Sequence, residues 1–62
     1  MYDFNVGDTV IINEEAEGVV VDKTIGNDMG WYKCKLLKYY PNTVCQGRYT
    51  WLPFNYLRLK EN

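Results

Sequence analysis

Aromatic side chains are the residues of this sequence best suited to recognition chemistry. Its 62 residues include six Tyr, two Trp and two Phe. Tyr and Trp bury a large area for few frozen torsions, so they are enriched where proteins bind one another. A chain of this length buries only about 60% of its unfolded surface, so some of these rings must stay exposed. The alternative is that the exposed rings only cover apolar seams, with their polar atoms in water.

The segment 51–59 indicates where some of these rings lie. Pro53 has no N–H and a fixed φ, so it ends a strand and begins a turn. If Leu52 and Leu57 point into the core on either side of that turn, Pro53 and Tyr56 must point outward. We therefore expect an exposed patch that binds a protein partner. The predicted partner-binding residues are Trp31, Pro53, Asn55, Tyr56, Trp51 and Tyr49.

Charge is unevenly distributed along the chain. The net charge is −1, which argues against a phosphate backbone as the main partner. Seven of the eight acids precede residue 31, whereas six of the seven bases follow residue 30. Cross-strand pairing explains this asymmetry, and a surface with one acidic and one basic side is the alternative.

Other binding functions use the same rings. Single-stranded nucleic acid would need stacking rings beside basic groups. A cage for a methylated cation would need two to four rings around a void. An aromatic patch on a small domain also suits self-association. The bases interleaved with the rings are Lys33, Lys35, Lys38, Arg48 and Arg58, and the cage candidates are Trp31, Tyr32, Tyr49 and Trp51.

Catalysis has few candidate residues. The chain contains no His and no Ser, and it has no glycine-rich phosphate loop, so the usual nucleophile–base pairs are missing. The clustered acids Glu14, Glu15 and Glu17 are explained by a solvated turn. Two Cys without His are too few ligands for structural zinc. We predict a protein that is not an enzyme and that has no metal and no cofactor.

Cys34 and Cys45 are predicted to be reduced thiols, with Cys34 in the core; a disulfide between them is the alternative. No signal peptide is recognisable, and no apolar run approaches the roughly 20 residues of a membrane span. We therefore predict a cytoplasmic protein of one domain, residues 1–62. Its size suits a bacterial or phage accessory or inhibitor protein that docks on a larger machine.

Apolar residues alternate with polar ones almost throughout, and no segment has helical periodicity. The pattern predicts strands over 9–13, 19–25, 31–38, 48–52 and 57–59, with a single 3₁₀ turn at Pro53–Tyr56 and a loop or hairpin tip over 39–47. Five short strands with close turn signals favour a small barrel. The predicted core consists of Val10, Ile12, Val19, Val21, Cys34, Leu36, Leu52, Leu57 and Leu59.

Three segments resemble SH3 domains in their order. They are Gly7-Asp8-Thr9-Val10, then Gly30-Trp31-Tyr32-Lys33, then Gly47-Arg48 through Pro53-Phe54-Asn55-Tyr56-Leu57. The last contains the Pro-x-Asn-Tyr motif that forms a 3₁₀ turn before the final strand of those domains. The resemblance implies a five-stranded SH3-like barrel and a groove for proline-rich peptides. The residues it places in that groove are Trp31, Pro53, Asn55 and Tyr56.

Two departures shift the resemblance toward the wider SH3-like group, which includes Tudor-type and KOW-type modules. The long first loop of SH3 domains is missing, and the hairpin 14–25 is inserted instead. Plasmid-type dihydrofolate reductases are also SH3-like barrels, but their Val-Gln-Ile-Tyr-Pro run is matched by Tyr49-Thr50-Trp51-Leu52-Pro53. That run lacks the Gln and the Tyr. We therefore expect an all-β, five-stranded SH3-like barrel that acts as a protein-interaction module; a nucleic-acid-associated Tudor/KOW-like barrel is the alternative.

Overall fold

β-Strands make up almost all of the regular structure. The computed structural model describes residues 4–25, 30–45 and 47–61. Those residues contain no α-helix, and no helix among them is long and apolar enough to cross a membrane. The predicted all-β class is therefore confirmed. The elements are β1 (Thr9–Ile12), β2 (Ala16–Ile25), β3 (Gly30–Tyr39), β4 (Thr43–Val44), β5 (Tyr49–Pro53), the 3₁₀ turn η1 (Phe54–Tyr56) and β6 (Leu57–Leu59).

The described strands form one antiparallel sheet in the order β4-β3-β2-β1-β6, and β5 pairs with β3 as well. The prediction of five strands is wrong, because the segment assigned to a loop or hairpin tip contributes β4. In that segment Thr43 pairs with Tyr39 and Val44 with Lys38. The predicted 3₁₀ turn before the last strand is present as η1.

The sheet is not closed into a barrel, contrary to the prediction. Among the described strands, β5 pairs only with β3, and β6 pairs only with β1. These two strands are joined by the three residues of η1, which packs against β3 and β6. The short turn leads the chain from one sheet edge to the other without pairing them, so a gap remains between β5 and the β1–β2 hairpin.

The core lies on one face of this curved sheet. Predicted core residues that are buried there are Val10, Ile12, Cys34, Leu36 and Leu57, and Leu52 packs against them half-buried. Phe4, Ala16 and Val20 are also buried in the cluster and were not in the predicted core. Tyr32 is buried there too, on the same side of β3 as Cys34 and Leu36, as alternation predicts. The Phe4 ring meets the Tyr32 ring edge-on, with 5.2 Å between the ring centroids.

The prediction is wrong for three core residues, Val19, Val21 and Leu59, which are not buried. Val19 and Val21 are only half-buried, whereas Val20 between them is 1% exposed. β2 begins at Ala16 rather than Val19, and its inward residues are Ala16, Gly18 and Val20. The prediction put Val19 and Val21 inward, one residue out of phase, and such a shift turns every side chain to the other face of the sheet. Leu59 is 49% exposed because it ends β6, the outermost strand of the sheet.

Gly18 is the residue that allows this inward phase. A Cβ at position 18 would lie 2.9 Å from the carbonyl oxygen of Lys35 and 3.1 Å from Cδ1 of Ile12. Any larger residue would push β2 away from β3 and the core.

Two register shifts bend the long β2–β3 ladder, one between Glu17 and Gly18 and one between Val20 and Asp22. Bulges of this kind increase the local twist and re-aim the side chains that follow. Beyond the second shift, the part of β3 that begins at Trp31 pairs with the end of β2 on one side and with β5 on the other.

Candidate functional site on the aromatic face of β3 and β5

The alternation of hydrogen-bonded and non-hydrogen-bonded pairs between β3 and β5 decides which cross-strand side chains lie closest together. The N–H of Leu36 donates to the carbonyl of Arg48 at 2.8 Å. Because hydrogen-bonded and non-hydrogen-bonded pairs alternate in an antiparallel ladder, this bond fixes the type of each following pair. The pairs Thr50–Cys34 and Leu52–Tyr32 are hydrogen-bonded, and the non-hydrogen-bonded pairs are Tyr49–Lys35, Trp51–Lys33 and Pro53–Trp31.

Side chains of non-hydrogen-bonded pairs lie closer together than those of hydrogen-bonded pairs. They also point away from the core here, because Tyr32 and Cys34 point into it. The exposed fractions are 42% for Trp31, 42% for Trp51 and 53% for Tyr49. We call this surface the aromatic face; it comprises Trp31, Lys33, Lys35, Tyr49, Trp51 and Pro53.

Lys33 connects two rings of the aromatic face. It is the direct cross-strand neighbour of Trp51, and its Nζ lies 5.2 Å from the centroid of the Tyr49 ring. That distance fits a cation–π contact between diagonal neighbours on one sheet face. The lysine and the rings therefore form one continuous surface rather than separate charged and apolar areas.

Four of the six predicted binding residues meet on this face: Trp31, Pro53, Trp51 and Tyr49. The other two, Asn55 and Tyr56, are exposed in η1, which directly follows Pro53. Tyr56 is 47% exposed, and its carbonyl accepts a hydrogen bond from the N–H of Asn13 at 2.7 Å. The expected inward Leu57 and outward Tyr56 are both present, since Leu57 is buried.

The sequence did not show that Lys33 and Lys35 lie directly opposite Trp51 and Tyr49. Alternation placed both lysines on the outer side of β3, but the register of β5 depends on the length and path of the connecting segment. Of the four candidate rings for a methyl-cation cage, Tyr32 cannot contribute, because it is 3% exposed and lies on the core side.

Ion pairs join acids of the first half to bases of the second half. Glu14 accepts two hydrogen bonds from the guanidinium of Arg58, one of them at 3.0 Å, and these bonds lower the pKa of Glu14. Glu17 accepts hydrogen bonds from Nζ of Lys60 at 3.1 Å and from the Tyr40 hydroxyl at 3.0 Å. The Lys60 bond is the main cause of the lowered pKa of Glu17. Both ion pairs join the two halves of the chain, but neither links residues on directly paired strands, since Glu14 lies in a turn and β1 separates β2 from β6.

Pairing leaves positive charge on and beside the aromatic face. Among the described residues, Lys33, Lys35 and Arg48 make no ion pair within 4.0 Å. Asp22 is the cross-strand neighbour of Lys33, but its carboxylate accepts a hydrogen bond from the N–H of Lys23 at 2.8 Å. The aromatic face is therefore cationic although the whole chain has a net charge of −1.

A cleft of about 300 Å³ opens in the gap beside β5. Its apolar residues are Ile12, Ala16, Leu36 and Leu52, and it is also lined by Tyr39, Arg48, Tyr49 and Thr50. Volumes near 300 Å³ are at the small end for ligand pockets. Tyr49 borders both this cleft and the aromatic face.

Both thiols are free, and burial raises the pKa of Cys34 to about 11. The buried position of Cys34 confirms it as a core thiol, while Cys45 is half-buried against the core. No group of three or more metal-binding side chains occurs in the described part of the chain.

Comparison of the chain with models of protein families, with curated proteins and with solved structures gave no match in any of the three.

Proposed function

We propose that this chain is a non-catalytic interaction module that binds a protein partner through the aromatic face. The observation that carries the proposal is the set of three non-hydrogen-bonded pairs, which holds three exposed rings and Pro53 side by side on two strands. Rings fixed by a sheet lose little conformational entropy on binding, so more of the contact energy remains as affinity. Trp and Tyr are also the residues most often found at binding hot spots.

The charged groups support a non-catalytic function. The acids Glu14 and Glu17 are held in ion pairs with Arg58 and Lys60, so neither is free to act as a general base. The sequence supplies no His and no Ser. Two free thiols fit a reducing, cytoplasmic setting.

Membership of the SH3-like group is a further part of the proposal. It is supported by η1 between the last two strands and by Trp31 lying opposite Pro53, two of the residues that the resemblance places in one groove. On this view the chain is a relative of SH3-like modules whose sheet stays open beside β5.

A nucleic-acid-associated module of the Tudor/KOW kind is the second candidate. It is favoured by Lys33, Lys35 and Arg48, which make no ion pair with a described residue and lie on and beside a face that also presents three rings. Basic groups beside stacking platforms are typical of proteins that bind single strands. The acidic net charge of the chain favours the protein partner.

Affinity capture from the source cells, followed by titration calorimetry with the purified partner, tests the proposal. Trp31→Ala and Trp51→Ala should each weaken binding by about 30-fold, on the order of 2 kcal/mol. Val44→Ala is the control, because Val44 is 69% exposed on β4 and lies outside the aromatic face. Circular dichroism verifies that each variant is folded.

Two results would contradict the protein-binding function. The first is partner binding that survives both Trp substitutions, which would make the acidic segment Glu14–Glu17, at the β1–β2 turn and the start of β2, the next candidate. The second is tight binding of a labelled oligodeoxythymidylate that falls steeply with salt and requires Lys33, Lys35 and Arg48. That result would support the nucleic-acid function.

A further inference from the structure

We propose that the free edge of β5 pairs with an extended segment of the partner protein, and that this segment carries an acidic side chain that reaches Arg48. The inference rests on the proposed function, since it specifies how the same partner is held. Edge-strand addition supplies main-chain hydrogen bonds for affinity and side-chain pockets for selectivity.

The alternation of hydrogen-bonded and non-hydrogen-bonded pairs with β3 identifies which backbone groups of β5 are free. Because Tyr49 and Trp51 belong to non-hydrogen-bonded pairs with β3, their N–H and C=O groups point to the other side of β5. No described strand pairs there, and no described backbone group hydrogen-bonds to either residue on that side. Pro53 has no N–H and limits the edge at its end. The edge therefore offers two donors and two acceptors in the spacing of a β-ladder.

The surroundings of the edge suit an extended chain. Side chains of an added strand would point alternately to the two faces of the sheet. Those on the inner side would enter the cleft over Ile12, Ala16 and Leu52, and those on the outer side would lie beside Trp51 and Tyr49. One segment would thus cover both the apolar cleft and part of the aromatic face.

Charge selects the partner over a second copy of this chain. Arg48 lines the cleft, is exposed and makes no ion pair with a described residue. If two copies paired through β5, the Tyr49–Pro53 strand of the second copy would bring no acid to Arg48, because that strand contains no Asp or Glu. An acidic residue in the added segment would instead neutralise Arg48.

Tyr49→Pro and Tyr49→Ala form the matched pair of variants for the test. Both remove the Tyr49 ring, but only proline removes the outward N–H and blocks pairing at the edge, without removing a hydrogen bond to β3. The probe is a display library of short random peptides, selected on the wild-type chain. We expect alternating apolar residues with one acid in the selected peptides, and Tyr49→Pro should bind them at least about tenfold more weakly than Tyr49→Ala.

Amide hydrogen exchange gives the second readout. The amides of Tyr49 and Trp51 should exchange more slowly when a selected peptide is bound. In binding assays, Arg48→Gln should reduce the affinity for the acidic peptides more than the affinity for analogues in which the acid is replaced by its amide. If Tyr49→Pro does not fold, a chain joined by ligation at Cys45 and carrying N-methylated Trp51 replaces it. That modification blocks the edge and keeps every side chain.

Several outcomes would overturn this inference. They are equal binding by Tyr49→Pro and Tyr49→Ala, failure to select any peptide, and a concentration-dependent dimer that Tyr49→Pro abolishes. If the edge variants bind normally while Trp31→Ala and Trp51→Ala do not, the aromatic face functions without strand addition. If neither set of variants affects binding, the proposed function fails as well.

Discussion

At the scale of single residues, Gly18 has more influence on the sheet than its lack of a side chain suggests. It is the inward residue between Ala16 and Val20, and the Lys35 carbonyl occupies the space where a Cβ would be. The predicted strand starts only at Val19, after the acidic turn, because glycine next to polar residues is a common turn signal. The phase of β2 was therefore counted from Val19 and came out wrong.

Gly18→Ala should destabilise the fold by roughly 1–3 kcal/mol, because the added methyl group overpacks the contact with Lys35 and Ile12. Urea denaturation followed by circular dichroism measures the change. Val44→Ala, on an exposed position, should leave the midpoint nearly unchanged. An unchanged midpoint for Gly18→Ala would show that β2 can move away from β3 at little cost.

The ion pair between Glu17 and Lys60 makes the stability of the fold depend on pH in the acidic range. The folded-state pKa of Glu17 is lowered from 4.5, mainly by the hydrogen bond from Lys60. A carboxyl with a depressed pKa contributes stability that is present above its unfolded pKa and is lost as pH falls toward its folded pKa. The urea midpoint should therefore drop as pH is lowered through 4.5 and below.

Glu17→Gln should flatten this acid dependence, since an amide keeps the Tyr40 contact but does not titrate. Glu15→Gln is the control, because Glu15 makes no ion pair with a described residue. Equal acid slopes for Glu17→Gln and the wild type would assign the acid loss to other groups, with Glu14 and Arg58 the next pair to test.

At the scale of elements, the alternation in the sequence was enough to find β1, β3, β5 and β6. Residues 32, 34 and 36 point inward as the pattern predicts, because β3 starts at a clear aromatic pair after Gly30. Alternation could not find β4, since its two residues contain a single repeat of the strand pattern and a pattern needs several. Nor could it fix the pairing of β3 with β5, on which the aromatic face depends.

Val20 is the residue whose substitution best tests the phase of β2. Val20→Ala should cost about 2 kcal/mol of stability, because two fully buried methyl groups are lost. Val19→Ala and Val21→Ala should each cost clearly less, since both side chains are half-buried. Thermal denaturation of the three variants under one condition measures the three losses of stability. Larger losses for Val19→Ala and Val21→Ala than for Val20→Ala would support the sequence prediction that Val19 and Val21 point inward.

At the scale of the whole molecule, the sheet wraps around a small core, and among the described strands β5 and β6 each pair with one strand only. Composition and periodicity predicted an all-β chain with surplus rings on the surface, and three rings are indeed exposed on one face. They also predicted closure, which requires β5 to hydrogen-bond to a second strand. Closure depends on how far η1 carries the chain, and no local pattern encodes that distance.

The two thiols should report differently on opening of this core. Cys34 is fully buried and its pKa is raised to about 11, so it should react with a thiol reagent at neutral pH only when the core opens. Cys45 is half-buried and should react sooner. Mass spectrometry after timed alkylation measures both rates, and Cys34→Ala and Cys45→Ala variants assign them. Rapid labelling of Cys34 in the folded protein would contradict this core structure.

The aromatic face contains both tryptophans of the chain, Trp31 and Trp51, and each is 42% exposed. The intrinsic fluorescence of this protein is therefore a signal of its surface rather than of its core. Unfolding should change the emission maximum only slightly, because both indoles already contact water. Covering the aromatic face should shift the emission to shorter wavelengths, so an unlabelled sample can report when a partner has docked.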